Sequence, residues 1–277
     1  MSLAPLTYWE SHFMGRSGTD WSAATSDTIQ RCHAKGIYNP LHVRGRGAWI
    51  EDDDRLVLHT GLKLHVDGVE TEIHAFRSRY SYEATWDLGL DLSKPLSNSE
   101  SLKLLKICRN LLWCKPVSAD LLAGWIVIAP FCGALDWRPH IWITGPSGTG
   151  KSTVVRELVK PLVAVGESFE GPSTQSGVRQ SLKNDARPVL FDEAERTNQQ
   201  TDARLQDLID LIMVASSGVG KIAKGTAGQQ AISVHIRSCF CLLSINPALD
   251  RVAVQRRVTQ LELGRKGPSR PVAQAAS

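Results

Sequence analysis

Residues 140–153 read HIWITGPSGTGKST. His140 to Thr144 form an apolar, strand-like run that leads without a break into a glycine loop, and Gly145, Gly150, Lys151 and Ser152 fill every defined position of the pattern G-x-x-x-x-G-K-[ST]. The text that follows, VVRELVKP, puts Val154, Val155, Leu158 and Val159 on one helical face and predicts a stop at Pro161. Strand, loop and helix therefore come in the order that a phosphate-binding unit requires. Glycines let successive backbone N–H groups turn inward around phosphates, and the helix N-terminus adds a favourable dipole. Gly145, Pro146, Ser147, Gly148, Thr149, Gly150, Lys151, Ser152 and Thr153 are accordingly the expected ATP-binding loop. Lys151 is expected to reach the β- and γ-phosphates, and the Ser152 hydroxyl to ligate Mg²⁺.

Two more apolar runs extend the pattern. Pro188 to Phe191 end in Asp192-Glu193, a carboxylate pair at a strand end. Asp192 is expected to bind the magnesium and Glu193 to orient and deprotonate the attacking water, which is the task that separates hydrolysis from nucleotide binding. Ser238 to Ile245, SCFCLLSI, make a third strand ending in Asn246-Pro247. In a parallel α/β sheet the chemistry sits at the carboxyl ends of the strands, so Asn246 is expected beside Asp192, although an asparagine before proline also starts turns. A last strand, Val258 to Leu263, follows Gln255-Arg256-Arg257. Arg257, with Arg256 and Arg251 in reserve, is read either as a solvated face or as a finger offered to a neighbouring subunit's γ-phosphate.

Outward from this core, Gly36 to Tyr82 alternate in short runs with polar turns, which predicts antiparallel strands. The acidic group Glu51 to Asp54 reads as a solvated hairpin turn, and Arg44 and Arg46 in HVRGRG read equally as phosphate contacts or as part of a glycine-kinked strand. Ser97 and Glu100 have capping-box spacing ahead of a helix that ends by Lys115-Pro116, and a second helix is expected from Ser118 to about Phe131. Leu205, Leu208, Ile209, Ile212 and Met213 make one apolar helix face. Beyond it, 218–228 are glycine-rich with Lys221 and Lys224, and AISVHIR resumes alternation, so a β-hairpin with a basic tip competes with a solubilising loop. The expected domains are 1–95, β-rich; 96–136, a helical connector; 137–264, the nucleotide-binding α/β core with a parallel sheet; and 265–277, a loose tail.

The whole chain has 277 residues, 42% hydrophobic and 22% charged, with a formal charge of +4. Such a surplus permits a polyanionic partner without demanding one. MSLAPLTYWESHF lacks the basic and apolar regions of an export signal, and the longest charge-free apolar stretch, about 15 residues, is short of the roughly 20 of a membrane span. A cytoplasmic protein with no membrane partner is expected. The six cysteines show no CxxC pair and are expected to be reduced.

GPSGTGKST, PVLFDEAE, SINP and the Arg-Arg-Val-Thr element together resemble the AAA+ ATPase domain of superfamily 3 helicases, in particular the primase-helicases of phages and large DNA viruses. GIYNPLHVRGRGAWIEDDDRLVLHTG and GPSTQSGVRQSLKNDARPVLFDEAE resemble the phage group. The resemblance implies a P-loop NTPase fold, a hexameric ring of identical chains, ATP hydrolysed with Mg²⁺ at subunit interfaces, and a DNA helicase or translocase acting in phage or mobile-element replication. It also implies that Lys221 and Lys224 contact single-stranded DNA. Other readings are a regulatory ATPase working on a protein partner in a phage or defence module, and a small-substrate kinase. The kinase is disfavoured because the Asp192-Glu193 pair suits water activation.

Overall fold

The computed structural model describes residues 5–35, 39–170, 173–192, 199–217, 222–225, 231–234, 236–247, 249 and 251–265, with backbone alone described at 199–202, 222–225 and 231–234. The chain divides into two compact units, Met1–His42 and Val43–Ser277. In the first, helix α1 (Leu6–His12), a two-residue hairpin of β1 (Met14–Gly15) and β2 (Gly18–Thr19), and helix α2 (Trp21–Lys35) gather the rings of Trp9, Phe13 and Trp21.

The second unit opens with β3 (Val43–Arg44) and an antiparallel meander, β4 (Gly47–Ile50), β5 (Leu56–His59), β6 (Lys63–Val66) and β7 (Val69–Glu72). The antiparallel strands read from alternation are therefore present. A short β8 (Ser81–Tyr82) returns to pair with β3 in parallel. Arg44 and Arg46 are spent on structure. Arg44 donates to Glu51 (2.6 Å) and to Tyr82 Oη (3.0 Å), and Arg46 donates through Nε and Nη2 to the one oxygen Oδ2 of Asp185 (2.9 and 2.6 Å). The expectation of a solvated acidic turn is corrected at Glu51, which is buried at 7% exposure because Arg44 and the Tyr82 hydroxyl reach it from both sides in sequence.

Helix α3 (Asn98–Arg109) starts with the predicted capping box, Ser97 Oγ accepting from Glu100 N while the Glu100 carboxylate accepts from Ser97 N. Helix α4 (Val117–Ile128) begins one residue earlier than read and gives way to a 3₁₀ turn, Ala129–Phe131. Cys108, Leu122, Ala123 and Ile126 of this pair pack into the same core as the sheet. The two helices thus form a packed layer over the sheet.

The sheet is five-stranded, parallel throughout, in the order β10 (Glu167–Phe169), β11 (Val189–Phe191), β14 (Phe240–Leu243), β9 (His140–Thr144), β15 (Val258–Glu262). Alternation of side chains assigns its two faces. Ile141 and Ile143 of β9 join α4 and the helix after the glycine loop, whereas Trp142 joins Phe191, Leu242 and the apolar face of α8 (Gln199–Ala215). That face is Leu205, Leu208, Ile209 and Ile212, as read, with α7 (Gln175–Leu182) beside it. The helix after the loop runs as α5 (Lys151–Val154), a wide π turn at Val155–Val159 and α6 (Lys160–Leu162). The helix ends at Leu162, one residue beyond the expected stop at Pro161, and the wider turn ahead of it accommodates a residue with no N–H and a ring that crowds the preceding turn. Strands β12 (Ile222–Gly225) and β13 (Ala231–Val234) form the hairpin inserted between α8 and β14. A last short helix, α9 (Val252–Gln255), leads into β15.

His140 shows how tightly the base of the sheet is built. Phe240 N–H donates to its Nδ1 (3.0 Å), which places the ring proton on Nε2, facing Ser216 Oγ (3.0 Å). Burial, with Arg138 and Arg257 nearby, pushes its pKa down to about 3. The unfolded chain takes up this proton near pH 6.5 and the folded chain does not, so stability is complete above 6.5 and is lost as pH falls toward 3. The expected slope from this residue is up to about 1.4 kcal/mol per pH unit. Thermal midpoints measured between pH 7 and 4 should fall more steeply for the wild type than for His140→Gln; equal slopes would contradict the assignment.

Candidate nucleotide site

The loop from Gly145 to Gly150 leaves the carboxyl end of β9 and turns on backbone angles that side chains rarely adopt. Gly145, Gly148 and Gly150 have φ of 143°, 78° and 87°. At Gly145 a Cβ would also run into the Leu263 carbonyl, so strand β15 closes that side of the loop. Gly150 caps α5 in the left-handed region, and Lys151 begins the helix. The Lys151 ammonium donates to the carbonyls of Gly145 (2.7 Å) and Pro146 (3.1 Å), so its charge already lies across the mouth of the loop.

A cavity of about 400 Å³ lies over this end of the sheet, lined by Ser147, Gly148, Gly150, Lys151, Ser152, Thr153, Asp192 and 243–245. Three strand ends converge there because the ladders are in step. Phe191 is level with Leu242, and Leu242 with Trp142, so Asp192 follows at the level of Ile143, one residue before β9 ends and two before Gly145. Cys241, buried beside Asp192, has its thiol pushed up by burial first and by that carboxylate second, which keeps it neutral. The arrangement suits a polyphosphate with a divalent cation: inward-turning glycine backbone, a helix N-terminus, one ammonium, a hydroxyl at Ser152 and one carboxylate.

Lys151, Ser152, Asp192 and the loop residues are thus brought together, whereas Asn246 is not among the residues lining the cavity. It is exposed on the bend after β14, and Ser244 and Ile245 hold the lining positions instead. Glu193 and Lys221 lie outside the described residues. Lys224 is described through its backbone, on β12 opposite Ile232.

Arg257 precedes β15, whose first residue, Val258, is level with His140 at the amino end of β9. It therefore lies at the opposite edge of the sheet from its own glycine loop. The three arginines differ in how they are held. Arg251 pairs with Asp210 (2.7 Å). Arg257, half-buried, donates to Ala253 O (3.1 Å) and stacks on Trp137 at 5.6 Å. Arg256 is exposed and has no partner among the described residues. Arg257, the first choice from the sequence, is thus a held residue, and the difference in partners among the three is invisible in the sequence.

A larger groove, about 820 Å³, lies between 83–87 and 180–185. Its arginines are already paired, Arg46 with Asp185 and Arg187 with Glu167, and it contains no loop of the phosphate-binding kind. Size alone does not make it the reactive site. Among the described residues, no cluster of three or more potential ligand side chains could hold a structural metal, and no helix is long and apolar enough to cross a membrane.

The chain matches no protein-family model and no curated protein. Solved structures to which it is similar include JCV helicase bound to a thiazolopyridine phenoxyphenyl acetamide, at 14% identity and a TM-score of 0.38, covering 61% of this chain and 47% of that one. The X-ray structure of JCV helicase gives 14% and 0.37 over 61% and 46%, and an inhibitor-bound form of it 12% and 0.35 over 62% and 46%. The chain spans about half the length of the structures it matches.

Proposed function

We propose that this chain is an ATP-hydrolysing motor of the superfamily 3 helicase type, working on DNA as a homo-oligomer, with phage or mobile-element replication as its expected setting. The observation that carries the reading is the convergence of the glycine loop, Lys151, Ser152 and Asp192 on one cavity at the carboxyl edge of a parallel sheet. Strand β14 lies between the loop strand and the carboxylate strand, which leaves a third strand end available beside the γ-phosphate.

Lys151 exchanges the loop carbonyls for β- and γ-phosphate oxygens when ATP enters. Ser152 and Asp192 would hold Mg²⁺, which would supply charge neutralisation on the phosphates. Glu193 takes the proton from water as the water oxygen attacks the γ-phosphorus and the bond to the bridging oxygen breaks. Asn246 enters this scheme only by moving toward bound nucleotide. The missing positive charge comes from a neighbouring chain, and Arg256 is the better-placed donor because Arg251 and Arg257 already have partners. The hairpin β12–β13, carrying Lys221 and Lys224 at or beside one strand, is the proposed grip on single-stranded DNA, and a ring of six chains is the proposed assembly.

ATP turnover with and without single-stranded DNA, measured alongside mass by light scattering, tests the reading. Turnover that rises with both DNA and assembly is expected, as is a fall of about a hundredfold or more for Arg256→Ala but not for Arg251→Ala. Turnover indifferent to DNA would point instead to the regulatory ATPase. A monomer with full activity would remove the role of a neighbour's arginine.

A further inference from the structure

Ser244 is the last buried residue at the carboxyl end of β14, 2% exposed, and it lines the cavity over the glycine loop. Its hydroxyl oxygen accepts from the indole Nε1 of Trp142 at 2.8 Å. That donor comes from the neighbouring strand β9, three residues ahead of Gly145. Trp142 is fully buried, packed with Phe191, Leu242 and the apolar face of α8, so the indole cannot turn away.

A serine hydroxyl has one proton to give as well as lone pairs to receive. Here one lone pair is taken by the indole, and the proton has no acceptor among the described residues. Leaving it unused at a buried position costs free energy, so buried hydroxyls normally complete their bonding. Thr144 provides an internal comparison. It too is buried and accepts from a neighbouring side chain, Gln260 Nε2 at 3.1 Å, but it does not line the cavity. Ser244 combines the two properties, and the exposed Asn246 has neither.

We infer that Ser244, oriented by Trp142, donates its hydroxyl proton to a terminal phosphate oxygen of the bound nucleoside triphosphate. This rests on the nucleotide-binding reading of the same cavity, and it makes Ser244 the third strand's γ-phosphate contact in place of Asn246. Trp142 is the positioning residue, acting through Ser244 without touching nucleotide. The contact is specific for the triphosphate, since a diphosphate has no oxygen at that place.

The test is calorimetric affinity for ADP and for a non-hydrolysable ATP analogue with an imido β–γ bridge, with turnover measured in parallel. A hydrogen bond to a charged oxygen predicts that Ser244→Ala weakens analogue binding about tenfold or more and leaves ADP binding unchanged. Ser244→Thr keeps the hydroxyl and should restore the analogue-to-ADP ratio, whereas Trp142→Phe should lower it and leave ADP affinity intact. Asn246→Ala should leave the ratio alone. An unchanged ratio in Ser244→Ala, or equal loss of both ligands, overturns the inference. If that variant gives no cooperative thermal transition, Ser244→Cys replaces it, with the same ratio deciding. Wild-type protein that binds both ligands yet turns over no ATP would refute the ATPase reading while the ratio still judges Ser244. Wild-type protein that binds no nucleotide refutes both.

Discussion

Lys151→Ala is expected to reduce kcat/KM for ATP by a hundredfold or more, to the limit of detection, while leaving the thermal midpoint within a few degrees of the wild type. The catalytic loss follows from removing the ammonium that lines the cavity at the mouth of the loop, where it now donates to Gly145 O and Pro146 O. Preorganised charge aimed at a phosphoryl group is commonly worth about 10²- to 10³-fold in rate. The small stability effect follows from what the bonds are: both run to loop carbonyls, the one to Pro146 exposed and the one to Gly145 only part-buried, where water can replace the donor. Glu193→Gln makes the complementary case. It should keep ATP affinity and lose turnover by a similar factor, because an amide takes no proton from water. Equilibrium binding and single-turnover hydrolysis, run on both variants, separate the holding of phosphate from the activation of water. Comparable turnover in Lys151→Ala and the wild type would remove the loop from the chemistry altogether.

How much of this was legible in the sequence depends on the distance over which each signal acts. The loop and its flanks are local: glycines at 145, 148 and 150, an apolar run before them and a helical face after, and all of it reads directly. Three of the five parallel strands were readable as apolar runs, and β15 as an alternating one. Strand β10 was not, because its three residues ESF carry no run, and it exists only through pairing with β11. Glu51 looks like one of four turn carboxylates until Arg44, seven residues back, and Tyr82, thirty-one on, close over it. Asn246 stands out in the text as the polar residue before a proline. Ser244 looks ordinary inside SCFCLLSI, and its partner Trp142 lies 102 residues away, so no window of sequence joins them. The same is true of the arginines at 251, 256 and 257, which differ by whether Asp210 or Trp137 has reached them.

The largest effect on stability is expected at Asp185, where Asp185→Ala should cost about 3–5 kcal/mol. Its carboxylate, 9% exposed, accepts from the Arg46 backbone N–H at 2.7 Å and from the Arg46 guanidinium at 2.9 and 2.6 Å, with Arg187 at 3.7 Å. Deleting it strands a partly buried guanidinium and a backbone donor together, and an uncompensated charge costs more than the intact pair contributes. The backbone there has little room to adjust. Gly45 N–H donates to Asn184 O, Ala186 N–H to Arg46 O, and a Cβ on Gly47 would strike the Ala186 carbonyl. This seam joins the start of the β-meander to the segment feeding β11, whose far end presents Asp192 to the nucleotide cavity. The variant should therefore lose nucleotide affinity as well as stability, although Asp185 is not among the residues lining that cavity. Arg46→Met combined with Asp185→Leu removes both charges and should recover much of the unfolding free energy in denaturant titrations. A double variant no more stable than Asp185→Ala would mean that the ion pair itself, rather than the stranded charge, holds the seam.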